Sequence, residues 1–368
     1  MSAEEAPAAA PAVDTAGRRV LVTGATGFIG RHCLAQLAER GYEVHALSSR
    51  ASSSQAPPGP TSITWHHVDL LAAGAADAVC EAVAADSLLH LAWDTTPGQY
   101  THTPLNLDWL SASLRLVRSF VAHGGRRLVT AGTCFEYAHS GARCVEGVTP
   151  IAPDTLYGTS KAALDSVVSH YADEAGIESA WGRIFFLYGP HEHPDRLVAS
   201  VTRALLAGRE APCSIGTQVR DFLHVDDVAG ALVALLASRV TGDVNIASGQ
   251  PVTIRDLVSE IGEQIGRRDL VLLGARPLSP RDPPHIVADV TRLRNEVGFT
   301  PRFTLREGVR DTVRWWSSER DGASERDGSS ERDGASEHDG ASEHDGAAEH
   351  PGPDERAAHE PQGASTDE

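Results

Sequence analysis

Tyr157 and Lys161, the ends of the run Tyr157-Gly158-Thr159-Ser160-Lys161, form the pair in this sequence best suited to acid–base chemistry. Lys161 is the only lysine among 368 residues, and arginine supplies every other fixed cation. A position that keeps lysine under such a bias suggests that a compact ammonium is needed where a wide guanidinium fork would not fit. At a spacing of four, phenol and ammonium project from one helix face. An ammonium beside a phenol favours phenolate, which would bring the tyrosine pKa down from about 10 toward the range of a working proton carrier.

The second chemical signal is Gly24-Ala25-Thr26-Gly27-Phe28-Ile29-Gly30, directly after the apolar run 19–23 and before an amphipathic segment reaching Arg40. Strand, glycine turn and helix in that order present backbone N–H groups and a helix N-terminus to a pyrophosphate. A second strand, 43–47, ends in Ser48-Ser49-Arg50. An acid there would hold the ribose hydroxyls of NAD and repel a 2′-phosphate, so two hydroxyls and an arginine suit NADP.

The elements that must position these groups alternate along the chain. A third strand, 63–68, delivers Asp69, and a fourth, 88–92, contains His90, which reads as a core histidine because no partner stands at metal-ligand spacing. A long amphipathic helix is expected over 105–123 and another over 155–175. The fifth strand, 127–131, leads to Gly132-Thr133, which places a hydroxyl at the carboxyl edge of the sheet, where open α/β sheets bind ligands.

Composition limits the function class. The formal charge is −18, but residues 317–368 hold 16 acids against 4 arginines, leaving the body at −6. No basic stripe or aromatic platform argues for nucleic acid. Five scattered cysteines, Cys33, Cys80, Cys134, Cys144 and Cys213, suit reduced thiols in a cytoplasmic protein, and no metal site is expected. The acidic, Ala/Pro-rich opening of residues 1–17 lacks the basic and apolar regions of a signal peptide, and no apolar run is long enough to cross a membrane. From Ser318 a six-residue unit repeats (SERDGA, SERDGS, SERDGA, SEHDGA, SEHDGA) and then decays. It carries nothing larger than alanine to bury, so disorder is expected over 317–368, as over 1–17. His338, His344 and His350 recur at its period and read as part of a solvated tail.

TGATGFIG, Thr133 and YGTSK together resemble the extended short-chain dehydrogenase/reductases, the group of NAD-dependent epimerases, dehydratases and sugar-nucleotide ketoreductases. Later motifs extend the resemblance: Arg183 to Tyr188-Gly189-Pro190, then Arg220-Asp221-Phe222 to His224 and Asp226-Asp227. Asn245 to Gly249, Arg276-Pro277 with Asp282-Pro283, and Val297 to Trp316 complete it. It implies an α/β fold: a Rossmann-like doubly wound parallel sheet over 18–185 and a smaller C-terminal α/β substrate lobe over 186–316, with some segments returning to the sheet.

By this resemblance Thr133, Tyr157 and Lys161 are the catalytic set. The cofactor would meet Gly24, Thr26, Gly27, Phe28, Ile29 and Gly30, then Ser48, Ser49 and Arg50, then Asp69 and Leu70, Leu91, Ala92 and Trp93, and Lys161. Arg220, Arg276 and Asp282 match positions that hold the nucleotide half of a sugar-nucleotide substrate, while Asp94, Cys134 and Phe186 shape the sugar pocket. A homodimer through helices 105–123 and 155–175 is also implied.

Departures from the family pattern narrow the activity. Sugar 4,6-dehydratases carry an Asp-Glu pair directly after the catalytic threonine, where this chain has Cys134 and Phe135; Glu136, one residue on, would point elsewhere if the chain is extended there. Phe186 replaces an asparagine, and the asparagine of the long helix has only an off-register counterpart in Asn106. The sequence therefore points to an NADPH-dependent reductase of a nucleotide-activated 4-keto-6-deoxy sugar, with NAD also possible as cofactor. An NAD-dependent 4-epimerase is the alternative, and a non-enzymatic NADP sensor on the same fold is the alternative of another class.

Overall fold

The structure, a computed structural model, describes residues 15–49, 63–279 and 282–333, with side chains as far as Asp321. In chain order the elements begin β1 (Arg19–Thr23), α1 (Gly30–Glu39), β2 (Glu43–Ser48), β3 (Ile63–His67), α2 (Ala75–Val83), β4 (Ser87–His90), α3 (Leu105–Ala122), β5 (Arg127–Thr133), α4 (Leu156–Ala175) and β6 (Glu178–Ile184). There follow β7 (Phe186–Tyr188), α5 (Leu197–Leu206), β8 (Ala211–Pro212), β9 (Val219–His224), α6 (Val225–Leu236) and β10 (Gly242–Ile246). The last are β11 (Pro251–Thr253), α7 (Ile254–Ile265), β12 (Val271–Leu272), β13 (His285–Ile286), α8 (Thr291–Asn295) and α9 (Leu305–Asp333).

Seven strands form one parallel sheet in the order β10-β6-β5-β4-β1-β2-β3. Val20, Leu21 and Val22 of β1, Leu88 and Leu89 of β4, and Leu128 and Val129 of β5 are all buried. Consecutive apolar residues are needed there because helices cover both faces of the sheet. The chain winds outward in both directions from β1 and β4, so a crevice opens beyond their carboxyl ends. A second sheet, β11-β9-β13 with β7 also on β9, and the pair β12-β8 come from the later segments. The Rossmann-like doubly wound fold expected from the sequence is present.

At the cleft the elements depart from expectation for local reasons. β4 ends at His90 because the N–H groups of Leu91 and Ala92 donate to the Thr23 hydroxyl, both at 3.1 Å, rather than to a ladder carbonyl. β5 runs two residues further and includes Thr133, which pairs with Ile184 of β6. The chain then turns into a short 3₁₀ segment, Cys134–Glu136, so Glu136 is not on extended backbone; it curls back and donors converge on it.

At the ends, Thr15 to Gly17 are held by bonds such as Gly17 N–H to Gly41 O at 3.1 Å; residues 1–14 lie outside the described residues. Two units divide between Arg320 and Asp321. The described part of the second, Asp321–Asp333, is helical, as the end of α9. Residues 317–333, where the repeat composition suggests disorder, are described as helix. Residues 334–368, with His338, His344 and His350, lie outside the described residues. Among the described residues no helix is long and apolar enough to cross a membrane, and no group of three His, Cys, Asp or Glu is placed to hold a metal ion.

The crevice depends on backbone meeting backbone at the glycine turn. Gly24 adopts φ +67°, and a Cβ there would stand 2.9 Å from Ala92 N; a Cβ on Gly30 would run into the Gly24 carbonyl and come within 2.8 Å of Ala25 Cα. Gly30→Ala is expected to lower unfolding stability by about 1–3 kcal/mol, measured by urea denaturation, because backbone cannot yield as a flexible side chain would.

Candidate active site

A cleft of about 540 Å³ runs along the carboxyl edge of the sheet. One end is lined by Gly24, Gly27, Phe28, Ile29 and Gly30, the middle by Leu91, Ala92, Trp93, Thr133, Cys134, Tyr157 and Lys161, and the other end by Phe186, Arg220 and Asp282. The structure thus brings most of the sequence-predicted residues together. Thr26, Ser48, Ser49, Asp69, Leu70, Asp94 and Arg276 do not line this cleft. Asp69 and Ser49 are exposed past the ends of β3 and β2, Asp94 accepts from Thr96 N–H at 2.9 Å, and Arg276 is an exposed loop residue. Arg50 lies outside the described residues.

The glycine turn leads straight into α1, whose first turn has no side-chain cap. A cradle closed to any Cβ and an uncapped helix N-terminus fit the diphosphate of a dinucleotide.

α4 carries Tyr157 and Lys161 to the centre of the cleft. Thr155 caps it by accepting from Gly158 N–H at 3.1 Å, and Tyr157 N–H donates to Thr101 O at 3.1 Å, which fixes the first turn against the preceding loop. Tyr157 is buried, lines the cleft with Thr133, and is boxed by Tyr100 and Trp93 at ring distances of 4.9 and 6.3 Å. Lys161 donates to Ala131 O at 2.8 Å and lies 4.0 Å from the Trp93 ring centre.

These contacts reverse the expected electrostatics. Burial raises the Tyr157 pKa, Tyr100 adds to the rise, and the Thr133 hydroxyl opposes it. Burial lowers Lys161 from 10.5 to about 7, against the opposing charge of Glu136. The two side chains share a helix face, but low dielectric rather than their mutual attraction governs them. The phenol is a neutral proton donor at neutral pH, and the lysine is poised near neutrality.

His90 is a core residue, as expected. It bonds to Thr23 Oγ1 at 2.7 Å and Ser113 Oγ at 2.8 Å, and burial, then Lys161, drives it down to about 3, so it stays neutral. Asn106 is buried beneath the loop: its amide donates to Tyr100 O and Thr103 O and accepts from Trp93 Nε1 at 2.8 Å. It thereby fixes the ring that faces Lys161.

The sequence reading missed several lining residues. Phe135 and Phe222 join Phe186 in an aromatic wall, their ring centroids 6.1 and 5.7 Å from that of Phe186. Arg220 lies over Phe186 at 5.3 Å while pairing with Asp282 at 2.5 Å. Tyr100, Glu192 and Arg196 close the opposite side. Of the missed residues Phe222, inside a recognisable motif, and Phe135, at a motif position after Thr133, left a signal; the others stand in loops or turns without periodicity.

The sequence model of the NAD dependent epimerase/dehydratase family matches residues 20–247. The chain belongs to this family. It is 26% identical over 325 residues to a UDP-glucose 4-epimerase of Azospirillum brasilense, covering 82% of this chain and 92% of that one. A dTDP-glucose 4,6-dehydratase of Streptomyces antibioticus is 27% identical over 322 residues, covering 82% and 93%. Among solved structures, the UDP-glucose 4-epimerase of Thermus thermophilus in complex with NAD superposes with a TM-score of 0.71 at 27% identity, covering 81% of this chain and 98% of that one.

Because Lys161 is lowered on folding, the folded protein binds fewer protons than the unfolded chain between about pH 7 and 10.5. Its stabilising contribution is complete above that window and lost as pH falls through about 7. Urea midpoints of the unliganded protein should therefore rise from pH 7 to 10 relative to Lys161→Met; parallel curves for the two proteins would contradict this assignment.

Proposed function

We propose that the protein transfers hydride at an oxygen-bearing carbon of a nucleotide-activated sugar, and that its net reaction is NADPH-dependent reduction of a 4-keto-6-deoxy sugar nucleotide. The observation that carries this reading is the meeting of Thr133, Tyr157 and Lys161 in the middle of a cleft that has a diphosphate cradle at one end and Arg220 at the other.

A nicotinamide dinucleotide held by the Gly24–Gly30 turn would supply hydride for the carbonyl carbon. As charge develops on the carbonyl oxygen, Tyr157 gives up its proton to it, so the alkoxide leaves as an alcohol. The Thr133 hydroxyl, beside the phenol, would turn its single proton to the same carbonyl oxygen once substrate is bound. Lys161, near neutrality, is placed to supply positive charge as the phenol ionises. Arg220 and Asp282 stand where the nucleotide half would lie, and an arginine fork suits a diphosphate.

Two further features support a deoxysugar and argue against dehydration. The wall of Phe135, Phe186 and Phe222 suits a methyl group and offers nothing to a carboxylate. Expelling water needs a free carboxylate pair after Thr133, but the positions hold Cys134 and Phe135, and Glu136 is fully engaged with Thr133, Trp181 and Arg183.

NADPH is favoured because no acid closes the Leu47-Ser48-Ser49 end of β2. The second reading, an NAD-dependent 4-epimerase, is supported by the 4-epimerases among the relatives. Pairing of two copies through α3 and α4 belongs to the proposal, with Leu107 and Val167 exposed on those helices.

The deciding measurement follows absorbance of the reduced nicotinamide with a 4-keto-6-deoxy sugar nucleotide prepared in place by a 4,6-dehydratase. Consumption of NADPH in preference to NADH is expected. Conversion of a sugar nucleotide to its isomer without consumption would establish the epimerase instead, and cofactor binding without any turnover would leave a sensor. Tyr157→Phe should cut turnover by about 10²–10⁴-fold with cofactor affinity unchanged, whereas retained turnover would remove Tyr157 as the proton donor.

A further inference from the structure

The group of side chains behind the cleft is not used by the reaction itself, yet it bonds the main chain of Thr133 and, through Asp165, the helix that bears Tyr157 and Lys161. Glu136 has no exposed surface. Its Oε1 accepts from Thr133 N–H at 2.7 Å and from Trp181 Nε1 at 3.1 Å; its Oε2 accepts from Trp181 Nε1 at 3.0 Å and from Arg183 Nε at 2.7 Å. Every one of these bonds is donated to it, which is the pattern of a carboxylate rather than an acid. Burial pushes its pKa up, and Arg183 opposes the rise.

Arg183 carries the network onward. Its Nη2 donates to Asp165 Oδ2 at 2.7 Å, and its Nη1 to Asp243 Oδ2 at 2.7 Å. Asp165 stands one turn beyond Lys161 on α4. One carboxylate therefore grips the main chain of Thr133, and through one guanidinium the same network grips the helix that bears Tyr157 and Lys161. Gly132 is what allows the approach: a Cβ there would run into Trp181 Nε1 and stand 2.8 Å from Glu136 Oε1.

We propose that Glu136 is a positioning residue for the catalytic set, fixing Thr133 on β5 against the Tyr157–Lys161 face of α4 through Arg183 and Asp165, and supplying buried negative charge behind that face. The charge account supports this. Lys161 is buried without a carboxylate in hydrogen-bond contact, and Glu136 is the charged group that opposes its loss of a proton. His90, the other titratable group coupled to Lys161, is held neutral and cannot serve. A residue needed for shape alone would tolerate an isosteric neutral replacement, whereas this role requires the charge.

The inference rests on Thr133, Tyr157 and Lys161 being the reacting groups, and its test is chosen to be read without substrate. Because the chain has a single lysine, protein grown with ¹³C-lysine gives one εCH₂ signal, whose shift against pH reports Lys161 alone in the full-length, unliganded protein. In Glu136→Gln the midpoint should fall by about half a unit or more relative to wild type. An unmoved midpoint in a folded Glu136→Gln protein would overturn the proposal.

Glu136→Asp keeps the charge but is too short to reach both Thr133 N–H and Arg183, and it serves if the Gln variant does not fold. It should leave the Lys161 midpoint near that of wild type while hydrogen exchange at the Thr133 amide speeds up about tenfold or more, as for a lost buried hydrogen bond. Unchanged exchange at Thr133 would equally overturn the proposal. Where turnover is measurable, both variants should lower kcat with KM little changed. A shifted lysine in a protein that turns over no sugar nucleotide would sink the functional reading while leaving the coupling of Glu136 to Lys161 standing.

Discussion

A single buried guanidinium holds together the parts of this molecule that matter for chemistry. Arg183 stands in β6 and faces three carboxylates, Glu136 after β5, Asp165 on α4 and Asp243 on β10, each at 2.7 Å. Burial works against its charge, but the surrounding carboxylates, Glu136 foremost, raise its pKa well above the ordinary value. Removing three carboxylates from water is costly unless each finds a partner. This arrangement is satisfied only when the two strands, the helix and the turn stand in one register. Specificity of geometry, more than net stability, is what such a cluster provides.

The loop over the cleft is organised on the same principle with neutral groups. Thr23 takes the two N–H groups that β4 would have used for another ladder step and bonds His90, which in turn bonds Ser113 on α3. The chain leaves the sheet at Leu91, and Asn106 catches the loop by Tyr100, Thr103 and Trp93. These bonds carry Trp93 to Lys161 and Tyr100 to Tyr157. Two aromatic rings then exclude water from both titrating groups, which is why burial dominates their pKa values. A neutral phenol and a lysine close to losing its proton suit reversible proton exchange with an alcohol or a ketone.

At its far end the cleft turns apolar. Phe135, Phe186 and Phe222 occupy a wall beneath Arg220, which pairs with Asp282 at the rim. With Glu136 drawn away toward Arg183, the one carboxylate near Thr133 contributes to architecture rather than to elimination.

The order of strands and helices, the glycine turn and the Tyr157–Lys161 pair were legible in the amino-acid sequence because each is a local feature: a run of apolar residues, a spacing of three or four, or a turn that only glycine permits. The family is legible for the same reason, since its motifs are short and ordered. What burial does to the pair was not legible. The sequence places phenol and ammonium on one helix face and suggests that they act on each other, but the dielectric around them is set by Trp93, Tyr100 and Glu136, which arrive from other elements. The turn after Thr133 was likewise misjudged. The decision lay with Trp181 and Arg183, whose donors come from a strand about forty-five residues away. Spacing fixes which side chains face the same way, and tertiary packing alone decides what surrounds them and hence which proton each one holds.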